Sequence, residues 1–383
     1  MVFLMGGPGV GSLSPAAYPG AYPWTAERDF IVFGQRGTRH AEPALECPEV
    51  DSALATRSDA RLGAAARTCR ARLQAADIDL AAYHTDAITA DLEDLRQVLD
   101  IDHWILFGTS YGTRIALDYA RDVPEHLAAM VLDSPLPPEV RYDDESARNL
   151  RDAIIRVIDD CDAQATCRAA YPELGRRFFM AFNVAERSTR LAAMIDLTSA
   201  DGITSAPGLM DAIARGAVAA PESGSGGSSG FTWGMRLSVW CSEAWPFSKR
   251  AREDRPAGVL GGYESAAVAP ALCRAWDVPP RPAPFVEPVV SSVPTLLIAG
   301  EFDPLTPPTW ARRAAASLAN SRVIVVRGGG HSPTLEWSGD GCALEIAAAF
   351  IRNPTSVLGP DARSDFCVLT AQGPEYETGV PAR

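Results

Sequence analysis

The stretch from Trp104 to Ala120 reads WILFGTSYGTRIALDYA, in which three short patterns follow one another. Its apolar start, Trp104 to Phe107, has the length and composition of a buried strand. The residues after Gly112 carry apolar side chains at helical spacing. Between the two patterns, Gly108 to Gly112 reads GTSYG, which has the composition of a tight turn. The stretch therefore predicts a strand, a turn and a helix in direct succession.

Ser110 lies at the centre of this turn, with one glycine two residues before it and another two residues after it. In a G-x-S-x-G turn the serine takes strained backbone angles, and side chains at the two flanking positions would collide. The strain holds the hydroxyl clear of the backbone, at the N-terminus of a helix whose dipole favours negative charge. We interpret Ser110 as a nucleophile. The alternative is a turn whose glycines serve packing alone.

A serine nucleophile needs a base, and the chain contains five histidines. Only His331 follows the turn in a loop between a predicted strand and a predicted helix. The three glycines at 328–330 free this loop to bring the imidazole over the serine. We therefore predict His331 as the base, over a purely structural histidine.

The acid that orients this base is expected between Ser110 and His331 in the chain, at the end of a strand. Asp303 follows the predicted strand 293–299, and we favour it. Asp133 also ends a predicted strand and is the rival. Glu301 is a weaker third candidate. A carboxylate that is not the acid is expected to cap a helix or anchor a loop.

Two backbone N–H groups are expected to bind the oxyanion that forms on an attacked carbonyl. Tyr111 follows the nucleophile and supplies the first group. The second is expected from the loop after an earlier strand, where residues 6–9 read GGPG. Gly7 is our choice for it.

The composition excludes several classes of binding partner and of reaction chemistry. The net charge of −13, without a basic patch, argues against nucleic acid and anionic membranes. No apolar stretch approaches the roughly 20 residues of a membrane span, and we expect no signal peptide in this chain. Lys249 is the only lysine, so Schiff-base, P-loop and Ser-Lys chemistry are set aside. We expect a small ester or peptide substrate and no cofactor.

Eight cysteines form an even set with no C-x-x-C pair and no histidine at zinc-ligand spacing, so we expect no metal site. Buried thiols and disulfides both remain open, and the even count favours disulfides. Pairing neighbours along the sequence predicts Cys47–Cys69, Cys161–Cys167, Cys241–Cys273 and Cys342–Cys367. Such bonds indicate an exported protein, periplasmic or extracellular, although a cytoplasmic location remains open.

Strand and helix patterns alternate on both sides of a long insertion. Five further apolar runs have the length of strands: 2–5, 29–33, 127–132, 293–299 and 322–326. Alternating strands and helices favour an α/β fold with a mostly parallel, doubly wound sheet. We predict a core formed by residues 1–136 and 289–383, interrupted by an inserted, mainly helical cap at 137–288.

Four motifs together resemble those of one known family. The GGPG of residues 6–9 is similar to its oxyanion signature, and GQRGT at 34–38 to its Arg-Gly turn. The SYGT of 110–113 is similar to its elbow, and PEH at 124–126 with VLDS at 131–134 to its next helix and strand. The chain thus resembles the proline iminopeptidase-like α/β-hydrolases, in particular their tripeptidyl aminopeptidase-like branch. Met5 departs from the family's histidine. We expect neither the family's two first strands nor its export signal in this chain.

The resemblance implies an α/β-hydrolase that removes residues from peptide N-termini through an acyl-enzyme. Such an exopeptidase needs a carboxylate for the substrate's α-ammonium group, and Glu243 is our candidate. Trp240 and Trp245 would form walls of the same pocket. A solvated Glu243 beside a disulfide is the plain alternative. Carboxylesterase activity on short to medium acyl esters is the main alternative function, and a non-catalytic binding protein on this scaffold is less favoured.

Without the two strands that precede it in such a fold, the predicted strand 29–33 should be an edge of the sheet. Apart from Asp29 it carries none of the charges or prolines that protect natural edges. We therefore expect it to be covered by the 10–28 loop, by the C-terminal tail 368–383, or by a homodimer contact.

Overall fold

The computed structural model describes residues 1–54, 56, 58–182, 195–217, 230–249, 269–336, 341–359 and 373–378. One six-stranded sheet, with every neighbouring pair parallel, runs in the order β2-β1-β3-β4-β5-β6. Its strands are β1 Val2–Leu4, β2 Ile31–Val32, β3 Trp104–Thr109, β4 Leu127–Asp133, β5 Thr295–Gly300 and β6 Ser321–Val326. The predicted α/β fold class is confirmed.

Helices cover both faces of this sheet, as strands with two buried faces require. The described α-helices are α1 Pro48–Leu54, α2 Asp59–Ala75, α3 Thr85–Val98, α4 Tyr111–Asp122, α5 Tyr142–Ala163, α6 Ala165–Ala170, α7 Leu174–Phe182, α8 Ala200–Ala214, α9 Trp233–Glu243, α10 Pro270–Trp276, α11 Pro308–Ala315, α12 Cys342–Arg352 and α13 Thr355–Leu358. Successive side chains of β3 alternate between two apolar clusters: Leu106 packs with α3, α4 and α11, whereas Phe107 packs with α12.

The register of the central strands brings their carboxyl ends to one edge, where ligands of such sheets are found. Thr109, the last residue of β3, is opposite Asp133, the last residue of β4. Gly300, which ends β5, is opposite Val326, which ends β6. The loops that follow these four strands therefore meet on one side of the molecule.

The described residues between β4 and β5 form helices α5 to α10 and no strand of the sheet. They pack in two groups. Helices α5, α7 and α8 enclose an apolar cluster of their own, which also takes up Phe302 and Tyr376. Helices α9 and α10 instead join the cluster beneath α4. The predicted boundaries at 137 and 288 stay a prediction. Residues 221–229 of the insertion, which are rich in glycine and serine, lie outside the described residues.

Three of the four predicted disulfides are present. They join Cys47 to Cys69, Cys161 to Cys167, and Cys241 to Cys273. The fourth predicted pair involves Cys367, which lies outside the described residues. Disulfides of this number are typical of proteins from oxidising compartments. Among the helices that the structure describes, none is both long and apolar enough to cross a membrane.

The edge strand is shorter than the predicted 29–33. Only Ile31 and Val32 pair with β1, opposite Val2 and Phe3. Part of the 10–28 loop packs beside β2. The ring centres of Tyr22 and Trp24 lie 5.1 and 6.1 Å from the ring centre of Phe30, the residue just before β2.

The C-terminal tail was the second local cover expected for this edge, and for its described part that expectation is wrong. Residues 373–378 pack elsewhere, and the Tyr171 hydroxyl donates to the carbonyl of Glu377 at 2.7 Å. This segment packs there because the side chain of Tyr376 is buried in the apolar cluster of α5, α7 and α8. A homodimer through the edge of β2 stays a prediction.

Candidate active site

Ser110 joins β3 to α4 with the strained backbone that the sequence motif predicts. Its φ of 54° and ψ of −122° lie outside the regions usual for residues with a Cβ. A Cβ on Gly108 would lie 2.5 Å from the carbonyl oxygen of Gly112. A Cβ on Gly112 would lie 2.0 Å from the carbonyl oxygen of Leu4, at the end of β1. Both glycines are therefore needed for the backbones to approach this closely.

The backbone around Ser110 is held by its neighbours, whereas its side chain is half-exposed. The N–H of Ser110 donates to the carbonyl of Asp133 at 2.9 Å, which ties the turn to β4. The N–H of Thr113 donates back to the carbonyl of Ser110 at 3.0 Å. In the part of the chain that the structure describes, the Ser110 hydroxyl makes no hydrogen bond, to His331 or to any other residue.

Asp303 and His331 are in direct contact. The Nδ1 atom of His331 lies 2.8 Å from Oδ2 of Asp303. Asp303 follows β5 and is completely buried, whereas 17% of the His331 side chain is exposed. His331 follows β6, and its own N–H donates to the carbonyl of Thr198 at 2.9 Å. The structure thus brings the predicted acid and base together at the sheet edge that carries Ser110.

Asp303 is surrounded by donors. Its Oδ1 accepts from the backbone N–H groups of Leu305 at 2.8 Å and Thr306 at 3.1 Å. Its Oδ2 accepts from the hydroxyls of Thr306 at 2.6 Å and Ser134 at 3.1 Å. Burial alone would raise the pKa of Asp303, but the charge of His331 and the hydrogen bonds from His331 and Thr306 outweigh it, so the pKa is lowered. Asp303 is therefore an ionised carboxylate.

The rival, Asp133, is also completely buried but has few partners. Its Oδ2 accepts from the N–H of Thr334 at 3.0 Å and from the Thr334 hydroxyl. Its Oδ1 has no hydrogen-bond partner among the described residues. Burial, only partly offset by Thr334, raises the pKa of Asp133 to about 7. Asp133 is not in hydrogen-bond contact with His331 in the described part of the chain.

The third candidate, Glu301, anchors a loop. Its Oε2 accepts from the N–H of Gly328 at 2.9 Å, at the start of the glycine run before His331. Its own N–H donates to the carbonyl of Val326 at 3.0 Å, which ends β6. Glu301 therefore fixes the entry into the histidine loop and does not reach the imidazole.

The glycine loop after β1 lies against the serine. A Cβ on Gly6 would be 2.7 Å from Cβ and 3.2 Å from Oγ of Ser110, so only glycine leaves the hydroxyl free here. Gly7 has a φ of 122°, which side chains rarely allow, and is followed by a cis bond to Pro8. Within the described residues, the N–H groups of Gly7 and Tyr111 donate to no backbone carbonyl.

A pocket opens beside this loop. Its lining residues come from the loop, from α4, from the segment after β4 and from α9: Pro8, Tyr111, Arg114, Leu136, Val140, Tyr142, Val239, Trp240, Glu243 and Ala244. The predicted pocket residues Glu243 and Trp240 are therefore brought together. Trp245 is not among them, because α9 ends at Glu243 and the chain turns, burying Trp245 elsewhere.

Glu243 is not a solvated side chain. It is 2% exposed and accepts from the N–H of Thr85 at 2.5 Å and from the Thr85 hydroxyl at 2.6 Å. Nε of Arg114 lies 3.4 Å from its Oε2. Burial raises the pKa of Glu243 in spite of the positive charge of Arg114 and the hydrogen bonds from Thr85. The Thr85 hydroxyl also contacts the hydroxyl of Tyr111 at 2.8 Å, which links Glu243 to the residue after the serine.

A family model for the alpha/beta hydrolase fold matches residues 1–336 of the chain. The chain belongs to this α/β-hydrolase family. Serine protease Hip1 of Mycobacterium tuberculosis is 25% identical over 93% of this chain and 79% of that protein. Proline iminopeptidase of Aeromonas sobria is 30% identical over 39% of this chain and 31% of that protein. The predicted α/β-hydrolase family is confirmed, and the names of these relatives agree with the predicted class, a serine hydrolase of peptidase-like kind.

Solved α/β-hydrolase structures also match. A thermophilic esterase from Thermogutta terrifontis is 17% identical, with 92% of this chain and 89% of that chain covered and a TM-score of 0.42.

Several polar residues that complete the site of this α/β-hydrolase were not among the predicted site residues. Ser134 links the two strand ends, since its hydroxyl donates to Asp303 and accepts from the N–H of Ser332 at 2.8 Å. Thr334 reaches Asp133 across 201 positions of sequence. Only Thr306 had a local signal, because an aspartate followed three residues later by threonine is a common turn pattern.

Proposed function

We propose that this α/β-hydrolase cleaves acyl bonds with Ser110 as nucleophile, His331 as general base and Asp303 as the acid that orients the base. The observation that carries the proposal is the 2.8 Å contact between His331 Nδ1 and Asp303 Oδ2. It is supported by the strained, half-exposed Ser110 at the same sheet edge.

In the proposed reaction, Asp303 accepts the Nδ1–H of His331 and so keeps Nε2 free to accept a proton. Ser110 attacks the substrate carbonyl and loses its proton to Nε2. His331 then returns this proton to the leaving amine or alcohol, and the acyl group remains on Ser110. Water, activated by the same imidazole, releases the acid and restores the serine.

The N–H groups of Gly7 and Tyr111 are the proposed donors to the oxyanion. Both lack backbone acceptors in the described structure, and Gly6 brings the glycine loop against Ser110. Tyr111 is also the first residue of α4, where the helix dipole favours negative charge. Loss of one such donor typically costs about 3 kcal/mol of transition-state stabilisation.

We propose peptide N-termini as the substrate class. Support comes from the relatives named serine protease and proline iminopeptidase. Further support comes from the pocket beside Tyr111, where an acidic group and an aromatic wall, Glu243 and Trp240, lie together. In this proposal Glu243 attracts the α-ammonium group and the apolar lining takes the first side chain, while the segment 137–288 acts as the cap that selects substrates.

One observation favours the alternative, a carboxylesterase. Both oxygens of Glu243 already accept from Thr85, and Arg114 lies against one of them. A carboxylate paired in this way has less attraction for a substrate cation. The rest of the pocket is mostly apolar, as an acyl chain requires.

The test is a paired assay of aminoacyl and tripeptidyl p-nitroanilides against p-nitrophenyl esters of short and medium chain length. Anilide turnover that needs a free α-amino group supports the aminopeptidase, whereas ester turnover alone supports the esterase. Ser110→Ala should lower both activities at least about 10⁴-fold while the fold persists. Ser291→Ala, a buried serine that bonds the N–H of Val293 away from the site, is the control. A fluorophosphonate should label Ser110, and an active Ser110→Ala variant would refute the mechanism.

We also propose that the protein works outside the cytoplasm, because the described part of the chain contains three disulfides. Titration of thiols in the unreduced, unfolded protein tests this. Reactive thiols at these six cysteines would contradict it.

A further inference from the structure

The guanidinium group of Arg236 lies directly beneath the glycine loop. Arg236 is on α9, and only 1% of it is exposed. Its Nη1 donates to the carbonyl of Gly7 at 2.8 Å and contacts the carbonyl of Pro8 at 3.3 Å. The guanidinium group thus holds the carbonyls of Gly7 and Pro8. The N–H of the same Gly7 is the proposed donor to the oxyanion.

Aromatic rings enclose the same guanidinium. Its central carbon lies 4.3 Å from the ring centre of Phe231 and 4.9 Å from that of Trp240. Trp233 lies farther away, at 5.8 Å. Faces of aromatic rings attract cations, so this cage stabilises the charge without neutralising it.

No carboxylate neutralises Arg236 within the described part of the chain. Its Nε and Nη2 atoms have no hydrogen-bond partner there. Burial lowers the pKa of Arg236 to about 10, which still leaves it cationic at neutral pH. Asp143, on the neighbouring α5, is the nearby acidic group, and its carboxylate accepts from the indole N–H of Trp240 at 3.1 Å. A buried charge that is not paired with an opposite charge lowers the stability of the fold. An apolar residue at this position would fill the core without that loss of stability.

The loop has other attachments to the start of α9, but none of them holds the Gly7 peptide. The N–H of Thr232 donates to the carbonyl of Gly9 at 2.7 Å. Val10 forms an isolated antiparallel bridge with Phe231. A Cβ on Gly9 would lie 2.8 Å from the carbonyl of Thr232, so the loop is seated closely on the helix. Among the described side chains, Arg236 is the one that donates to Gly7.

We propose that Arg236 is a positioning residue for the oxyanion hole, which holds the Gly7 peptide in place and adds a positive charge behind it. This inference rests on the proposed function, because it requires the Gly7 N–H to bind the oxyanion. A fixed dipole and a buried cation near developing negative charge stabilise the transition state more than the ground state. The effect is independent of the leaving group, so it applies to esters and anilides alike.

The test compares Arg236→Met and Arg236→Lys with Arg96→Met. Arg96 is the control, since it is buried away from the site, where it donates to the carbonyl of Ile101 and pairs with the carboxylate of Glu93. We expect Arg236→Met to lower kcat about 100-fold for whichever substrate the enzyme turns over, with KM changed less than about threefold. Arg236→Lys should lose about three- to tenfold in kcat, less than Arg236→Met, because it retains the charge but not the planar guanidinium that donates to Gly7. Labelling of Ser110 by a fluorophosphonate should slow in parallel, since the phosphonyl oxygen enters the same hole.

A structural role alone would lower the melting temperature of the Arg236 variants and leave kcat per folded molecule unchanged, as expected for Arg96→Met. That result overturns the inference. If Arg236→Met does not fold, Arg236→Lys decides: a kcat loss beyond about threefold supports positioning, and a smaller loss contradicts it. An active Ser110→Ala variant would instead refute the proposed function, so the two failures are distinguishable.

Discussion

Asp133 and Asp303 end neighbouring regions of the same sheet, one at the tip of β4 and one in the turn after β5. Both are completely buried. The pKa of Asp303 is nevertheless lowered, whereas the pKa of Asp133 is raised to about 7. The carboxylate of Asp303 accepts hydrogen bonds from Leu305, Thr306, Ser134 and His331, while the carboxylate of Asp133 accepts only from Thr334 in the described structure.

The difference shows that burial by itself does not decide which carboxylate is charged. Burial raises the pKa of both groups, and the charge of His331 together with the hydrogen bonds to each carboxylate decides the outcome. The turn after β5 supplies two backbone N–H groups that face Asp303, whereas β4 uses its backbone for the sheet. A strand end is therefore a poorer position for an ionised acid than the turn that follows a strand.

The largest effect is expected from Asp303→Asn. An asparagine amide donates to Nδ1 of His331, which moves the imidazole proton to Nε2 and removes the base. We expect kcat/KM to fall by about 10⁴-fold, as for the same change in serine protease triads. Asp133→Asn should change kcat/KM by less than about threefold. Steady-state kinetics on folded variants measure both, and the reverse order would assign the acid to β4.

The pH dependence of activity follows from His331. Burial lowers its pKa, but the charge and hydrogen bond of Asp303 and the charge of Asp133 outweigh this, so its pKa lies above 6.5. The proposed reaction needs the neutral imidazole, so kcat/KM should rise with pH and reach half its maximum at a pH above 6.5. Two pH units below that midpoint, kcat/KM should be about 100-fold lower than its maximum. The effect of His331 on the stability of the fold has the opposite pH dependence. Protonated His331 stabilises the folded state fully below pH 6.5, and this contribution is lost as the pH rises through the pKa of the folded state. A midpoint at or below pH 6.5 would contradict this assignment.

A smaller effect on activity is expected from replacing the two threonines whose hydroxyls donate to the two aspartates. Thr306→Val removes a hydroxyl that donates to Asp303 at 2.6 Å but leaves the backbone donors. We expect kcat/KM to fall about tenfold, the equivalent of roughly 1.4 kcal/mol. Thr334→Val makes the same chemical change beside Asp133 and is the matched control, with less than about threefold loss expected. Equal losses in the two variants would mean that both carboxylates support catalysis.

The smallest effect on activity, from Asp133→Asn, comes with a distinct change in stability. Because the pKa of Asp133 is raised from 3.8 to about 7, its contribution to stability is full below pH 3.8 and is lost as pH rises towards 7. Asparagine resembles the protonated acid and does not ionise. The melting temperature of Asp133→Asn relative to the unmodified protein should therefore rise between about pH 4 and pH 8. A difference that stays constant over this range would refute the raised pKa.

The elements at the sheet edge were predictable because their signals are local. The strand, the turn and the helix around Ser110 follow from a single stretch of sequence, and Asp303 and His331 follow from their positions after strands. Contacts between distant segments were not predictable, as with Ser134, Thr334 and Arg236. The prediction that Trp245 lines the pocket with Trp240 was wrong. The two residues are close in sequence, but α9 ends between them and the chain changes direction.

The segment 373–378 has a consequence for how the chain is made. Glu377 accepts from Tyr171 across 206 positions of sequence, and Pro374 accepts from Gln164 across 210. At roughly 5–20 residues per second, the partners in each pair leave the ribosome roughly 10–40 s apart. During that interval the apolar cluster of α5, α7 and α8 lacks Tyr376. The insertion therefore completes its packing only after Tyr376 has been synthesised, and a nascent chain that stops earlier exposes apolar surface to other proteins.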